Sequence, residues 1–82
     1  MRYFNKKPFN NEIICFTGKS AYTRVEMEKI ALKNGARITK NITSATTLLV
    51  MGARPGSKLD RAFHRKINIM MDEEFLNKVK SK

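Results

Sequence analysis

The sequence predicts a small α/β domain in which a mainly parallel sheet is covered by helices on both faces. Three observations carry that reading. Apolar runs such as Ile13-Ile14-Cys15-Phe16 and Leu48-Leu49-Val50-Met51 lack the polar alternation of a half-solvated strand, so both faces of each strand must be buried. The segments between such runs carry helix signals: capping residues, apolar positions three and four apart, and a glycine stop. The resulting order, β-α-β-β-α-β-α, is that of a parallel sheet with helical crossovers. With 82 residues the chain makes one domain, and a domain this small has only a modest core.

Each element can be placed in turn. Residues 1–11, MRYFNKKPFNN, are polar and basic with aromatic spots. They are expected to form a flexible N-terminal arm or linker ahead of a domain spanning residues 12–80, with Phe9 the residue most inclined to pack. They lack the apolar stretch of a signal peptide. Glu12–Phe16 reads as the first strand and Thr17–Tyr22 as a loop. Thr23-Arg24-Val25-Glu26 is a capping box, the threonine at N-cap and the glutamate at N3. The helix it opens runs to about Lys33, with Met27, Ile30 and Ala31 on one face, and Asn34-Gly35 stops it.

Ala36–Thr39 reads as the second strand, Lys40–Ala45 as a polar loop and Thr46–Met51 as the third strand. Gly52-Ala53-Arg54-Pro55-Gly56 must be a loop. Ser57 is expected to cap a second, basic helix ending near Arg65, with Asp60 at N3. Ile67–Met70 is the fourth strand. Asp72 caps a last helix whose first turn carries Glu73 and Glu74, the charge sign favoured at a helix N-terminus. Phe75, Leu76 and Val79 form its buried face.

Charge narrows the function. Seventeen Lys and Arg against seven Asp and Glu give a net charge of +10 and a pI near 10.2. Such a surface suits nucleic acid. The rival partner, an anionic membrane, would call for a long basic amphipathic helix, and none is evident. No apolar run approaches the ~18 residues of a membrane span. Cys15 is the only cysteine, which leaves no disulfide framework and fits a reducing compartment. The expected location is the cytoplasm, with the nucleoid of a bacterium or phage-infected cell, or the nucleus if the source is eukaryotic.

Catalysis is not expected. His64 is the only histidine, and Cys15 sits in a buried strand, so no nucleophile–base pair can be built. The acids are scattered and several serve as helix caps, which leaves no metal cluster, and no cofactor is expected. The run Thr17-Gly18-Lys19-Ser20 ends like a nucleotide-binding P-loop, but Ile13 stands where the first glycine is required. The NTPase reading fails. A strand followed by Thr-Gly-Lys-Ser still suits one phosphate, and ligands of parallel sheets gather at the carboxyl ends of the strands. Thr17-Gly18 and Gly56-Ser57-Lys58 both fall on that edge.

At these residues the chain resembles the BRCT domains. The resemblance covers residues 12–80. It is carried by Thr17-Gly18 after the first strand, Thr23-Arg24 opening the first helix and Asn34-Gly35 closing it. It continues through Leu48-Leu49-Val50-Met51-Gly52 as the third strand and Pro55-Gly56-Ser57-Lys58-Leu59-Asp60-Arg61-Ala62 around the second helix. The segments PGSKLD and DEEFL look like the subclass found in bacterial NAD-dependent DNA ligases and the replication factor C large subunit. This chain departs from the family in having Asn34-Gly35 for a frequent Gly-Gly, Phe75 where many members carry tryptophan, and a loop after Gly18 about one residue short of the ligase subclass.

The fold expected with that resemblance has a four-stranded parallel sheet in the order 2-1-3-4. Right-handed crossovers then put the first and third helices on one face and the second on the other. The function it implies is a grip on one phosphate, a DNA 5′ end in this subclass and phosphoserine in others. The residues carried over are Thr17, Gly18, Arg24 and Lys58, with Arg61 a weaker match. Two partner classes follow: DNA, through a 5′-phosphorylated end or the backbone, or a phosphoprotein or neighbouring domain. The +10 charge favours DNA, and a monomer is expected. Arg24 and Lys58 have an ordinary alternative as exposed helix residues, and Thr17-Gly18 as a plain strand-exit turn.

Overall fold

A computed structural model describes residues 8–80. The elements are β1 (Ile13–Thr17), α1 (Arg24–Lys33), β2 (Arg37–Ile38), β3 (Leu48–Met51), α2 (Ser57–His64), β4 (Asn68–Met71) and α3 (Asp72–Lys80). All three strand pairings are parallel, and the sheet order is β2-β1-β3-β4. The expected order of strands and helices holds.

The strand sequences divide into two cores because successive side chains point to opposite faces. Ile14 and Phe16 of β1 and Leu48 and Val50 of β3 face Met27 and Ala31 of α1 and Phe75 of α3. Cys15 and Leu49 face the other way, onto Ala62 of α2 and Ile42. The first and third helices therefore share one face and the second covers the other, as right-handed crossovers require. The larger core is centred on Phe75, which is fully buried. Its ring lies 5.5 Å from that of Phe16, edge on, and 4.9 Å from that of Phe9. Such offset and edge-to-face aromatic pairs add about 0.5–1.5 kcal/mol each beyond area burial.

Phe9 is thus part of this core, and its N–H donates to the Asn34 carbonyl at 3.1 Å. Residues 1–7 of the expected arm lie outside the described residues. Strand ends differ from the sequence reading by one or two positions; β2 has two residues rather than four.

Helix ends explain most of the connections. The Thr23 capping box forms: the Glu26 N–H donates to Thr23 Oγ1 at 3.2 Å, and the Thr23 N–H donates to Glu26 Oε1 at 2.9 Å. At the other end, Gly35 takes φ +93°. The Ala36 N–H reaches the Ala31 carbonyl at 3.0 Å and the Gly35 N–H the Leu32 carbonyl at 3.2 Å, the paired bonds of a Schellman stop. Helix α2 ends in the same way, Ile67 to Ala62 and Lys66 to Phe63, but with Lys66 in the left-handed position at φ +57°.

One expectation about α2 is corrected. Ser57 is not its N-cap but its first helical residue; the cap is Gly56, at φ +72°, with no side-chain capping bond. The Ser-x-x-Asp spacing imitates a capping box, but the backbone turns into the helix one residue earlier, where only glycine accepts that φ without strain.

Candidate phosphate-binding site

The carboxyl edge of the sheet is built by two glycines. Beyond β1 and β3 the chains cross as a short antiparallel bridge, with the Lys19 N–H on the Ala53 carbonyl at 2.9 Å and the Ala53 N–H on the Lys19 carbonyl at 2.8 Å. Gly18 enters that bridge at φ +80°, and Gly52 lies directly against the Lys19 carbonyl. The loop after β1 is thereby fixed to the loop before α2, and α1 starts five residues on from Lys19.

The structure brings Thr17, Gly18 and Arg24 together around one cleft of about 380 Å³, which Ser20, Tyr22 and Thr23 also line. Their roles differ. Arg24 is exposed at the first position of α1, and its Nη2 donates to the Gly18 carbonyl at 3.3 Å. That bond aims the guanidinium across the loop while leaving its charge uncancelled, because the acceptor is neutral. Thr17 is buried, and its hydroxyl donates to the Pro55 carbonyl. Its proton therefore joins the β1 exit to the loop before α2, so Thr17 supports the site from beneath. The α1 N-terminus adds donors: the capping box takes the N–H groups of Thr23 and Glu26, and those of Arg24 and Val25 are at positions with no intrahelical partner.

Lys58 is placed one cleft further along. This second cleft, about 360 Å³, is lined by Phe16, Arg24, Val25, Glu28, Thr39, Lys40 and Lys58. Lys58 is half-buried, and its Nζ donates to the Lys40 carbonyl at 2.7 Å. Again the acceptor is neutral and the ammonium keeps its charge. Arg24 and Phe16 border both clefts, so Arg24 is the hinge of the candidate site. Arg61 lies exposed further along α2 and lines neither cleft.

Cys15 lies fully buried beneath this edge, its Sγ 3.7 Å from the Lys40 carbonyl. Burial pushes its thiol pKa up, while Lys58 and Arg24 pull it down and Glu28 raises it. The net direction is upward, so the thiol stays protonated and unreactive. Among the described residues no group of three His, Cys, Asp or Glu side chains could hold a metal ion, and no helix is long and apolar enough to cross a membrane.

Lys19 and Ser20, from the Thr-Gly-Lys-Ser run, also line the first cleft, whereas sequence reasoning missed Tyr22, Thr39 and Lys40 as neighbours of the site. Thr39 and Lys40 follow β2, the strand beside β1, so the same edge rule that picked out Thr17 and Lys58 points to them. Tyr22 had no comparable signal.

The geometry agrees with what the chain resembles. The family model of the BRCA1 C Terminus (BRCT) domain matches residues 4–77.

The chain belongs to the BRCT family.

Its relatives include the DNA ligase of Petrotoga mobilis, 42% identical over 72 residues, and that of Helicobacter pylori, 33% identical over 72 residues. These alignments cover 87% and 88% of the chain but 11% of each ligase, so this BRCT domain corresponds to about a tenth of such an enzyme's length. Among solved structures, Rad4 BRCT1,2 in complex with a Crb2 phosphopeptide superposes with a TM-score of 0.79 at 24% identity, over 92% of this chain and 41% of that one. The same fragment with a Mdb1 phosphopeptide gives 0.78. Both show the BRCT fold.

Proposed function

We propose that this BRCT domain is a non-catalytic DNA-binding module of a replication or repair protein, gripping a 5′-phosphate end or the adjacent backbone. The observation that carries the reading is the placement of Arg24. It stands at the N-terminus of α1, bonded to the neutral Gly18 carbonyl, between one cleft rich in backbone and hydroxyl donors and another that contains Lys58. A helix N-terminus with a guanidinium beside it attracts phosphate through both its free N–H groups and its dipole. The net charge of +10 supplies the sequence-independent attraction to the DNA backbone. The ligase relatives agree with a place in DNA joining, and the domain would serve there by positioning the end. A cytoplasmic or nucleoid setting, or a nucleus, follows from that role.

A phosphopeptide is the second reading, because solved structures of this fold hold one. Those chains carry two BRCT repeats, and this chain covers 41% of each. One repeat offers a phosphate pocket without a groove between repeats to read the flanking residues.

Titration with a duplex bearing a recessed 5′-phosphate, and with the same duplex ending in 5′-hydroxyl, tests the proposal. The terminal phosphate carries roughly −1.5 to −2 charges, by analogy with other phosphomonoesters, and should bind more tightly. Equal affinity for the two ends removes the phosphate grip. Failure to bind either DNA, together with binding of a phosphoserine peptide, establishes the second reading instead.

A further inference from the structure

Tyr22 lines the first cleft and is 42% exposed. The phosphate grip proposed above draws on Gly18, Arg24 and Lys58 and leaves this ring unused. Among the described residues Tyr22 has no ring partner and its hydroxyl has no hydrogen bond. Its backbone is nevertheless held on both sides. Lys19 before it is bridged to Ala53, and Thr23 directly after it is tied into the cap of α1. A tyrosine on a fixed loop offers a large face at little cost in side-chain entropy. The cleft beside the ring contains the cations Lys19 and Arg24 and, among the described residues that line it, no carboxylate. Its volume, about 380 Å³, is more than one phosphate group fills and falls in the range, roughly 300–1,000 Å³, of sites for whole small ligands. A ring beside cations suits a nucleotide, the charges meeting its phosphate and the ring its base.

We propose that Tyr22 is a stacking platform for the base of the 5′-terminal nucleotide, whose phosphate is held at Gly18, Arg24 and Lys58. Within a stacked strand every internal base is covered on both faces by its neighbours. The 5′-terminal base has no neighbour on its 5′ side, so one face is free to meet the ring. Tyr22 thus recognises an end and finds no such face along an uninterrupted duplex. Every base has a π face, so the contact is indifferent to sequence. The inference rests on the DNA reading above and narrows it from an end or its adjacent backbone to the end itself.

Titration of wild type, Tyr22→Ala and Tyr22→Phe with three versions of one recessed-end duplex tests the assignment. The first duplex carries a 5′-phosphate on a natural terminal nucleotide and the second a 5′-phosphate on an abasic one. The third carries a 5′-hydroxyl on the natural nucleotide. Tyr22 is exposed, so neither substitution should disturb the fold. On the first duplex Tyr22→Ala should bind roughly tenfold more weakly than wild type, within the range of one base–aromatic stack. Tyr22→Phe keeps the ring and should bind within about twofold of wild type. On the abasic duplex wild type and Tyr22→Ala should bind alike. The stacking assignment is overturned if Tyr22→Ala loses nothing on the first duplex, or loses as much on the abasic one. A loss in Tyr22→Phe as large as in Tyr22→Ala overturns it too. In each of those cases a wild-type preference for the first duplex over the third leaves the DNA-end reading standing. Without that preference both fall, and affinity for a phosphoserine peptide that drops in Tyr22→Ala would give the ring to a peptide side chain instead.

Discussion

Gly18 and Gly52 meet backbone to backbone where β1 and β3 leave the sheet: a Cβ on Gly18 would stand 2.9 Å from the Gly52 carbonyl carbon and 2.6 Å from the Ala53 oxygen. A Cβ on Gly52 would fall 2.1 Å from the Lys19 oxygen. The obstacles are main-chain atoms of a hydrogen-bonded bridge, which cannot swing aside as a side chain can. Gly52→Ala and Gly18→Ala should therefore each destabilise the fold by about 3 kcal/mol or more. Gly56 offers the contrast, since its φ is +72° but nothing lies within 4 Å of the added carbon. Gly56→Ala should cost only backbone strain, about 1–3 kcal/mol, because φ +72° with ψ −157° is a conformation essentially confined to glycine. Urea denaturation of the three variants checks the ranking, and a Gly52→Ala protein as stable as Gly56→Ala contradicts it. Gly18→Ala is accordingly a poor probe of ligand binding, because it damages the scaffold first.

The Thr23 capping box satisfies N–H groups at both Thr23 and Glu26. Thr23→Ala should lower stability by about 1 kcal/mol. A variant that melts with the wild type would show that the start of α1 does not depend on this cap.

Lys66 closes α2 at φ +57°, in a position that usually belongs to glycine. Lys66→Gly relieves that strain, partly offset by the greater entropy of glycine in the unfolded chain. The expected gain is about 0.5–1 kcal/mol, read as a rise in the urea midpoint at an unchanged slope. A fall in the midpoint would mean that the side chain of Lys66 contributes more than its backbone costs.

Burial holds the Cys15 thiol above its ordinary pKa, so the thiolate favours the unfolded chain. The associated stability is fully present below about pH 9, the ordinary thiol value, and is lost as the pH rises above it. Wild type should lose stability between pH 8 and 10.5 more steeply than Cys15→Ala, which is less stable throughout but lacks the titration. Parallel profiles would contradict the upward shift. At neutral pH a thiol reagent should label Cys15 only at the rate of unfolding.

Much of this fold is legible in the sequence because its elements are locally consistent. Ile13–Phe16 and Leu48–Met51 are too apolar to face water on either side, and the Thr23/Glu26 box and Asn34-Gly35 mark both ends of α1. The misses are tertiary. Ser57 imitates an N-cap, and only the backbone at Gly56 shows that the helix starts one residue sooner. No residue type marks Lys66 for a left-handed φ. Phe9 is legible as the arm residue most inclined to pack, but its partner Phe75, far along the chain, is not. In the site, Arg24 and Lys58 are legible from the edge rule and the family motif. The bond from Lys58 to the Lys40 carbonyl is not, because it joins residues eighteen apart in sequence across two loops. Nor could the sequence show that the Thr17 hydroxyl is spent on Pro55.

The central claim, that one edge of the sheet recognises a phosphorylated DNA end, is tested most directly by binding of wild type, Lys58→Ala and Lys33→Ala to duplexes ending in 5′-phosphate or 5′-hydroxyl, at two salt concentrations. Lys58→Ala should lose about 1.5–3 kcal/mol on the phosphorylated duplex, the size of a contact to a charged group, and narrow the difference between the two ends. Lys33→Ala, at the opposite end of α1, should weaken both duplexes alike through counterion release alone. Equal losses for the two lysines, with no preference for the phosphorylated end, would contradict the account and leave only a diffuse basic surface.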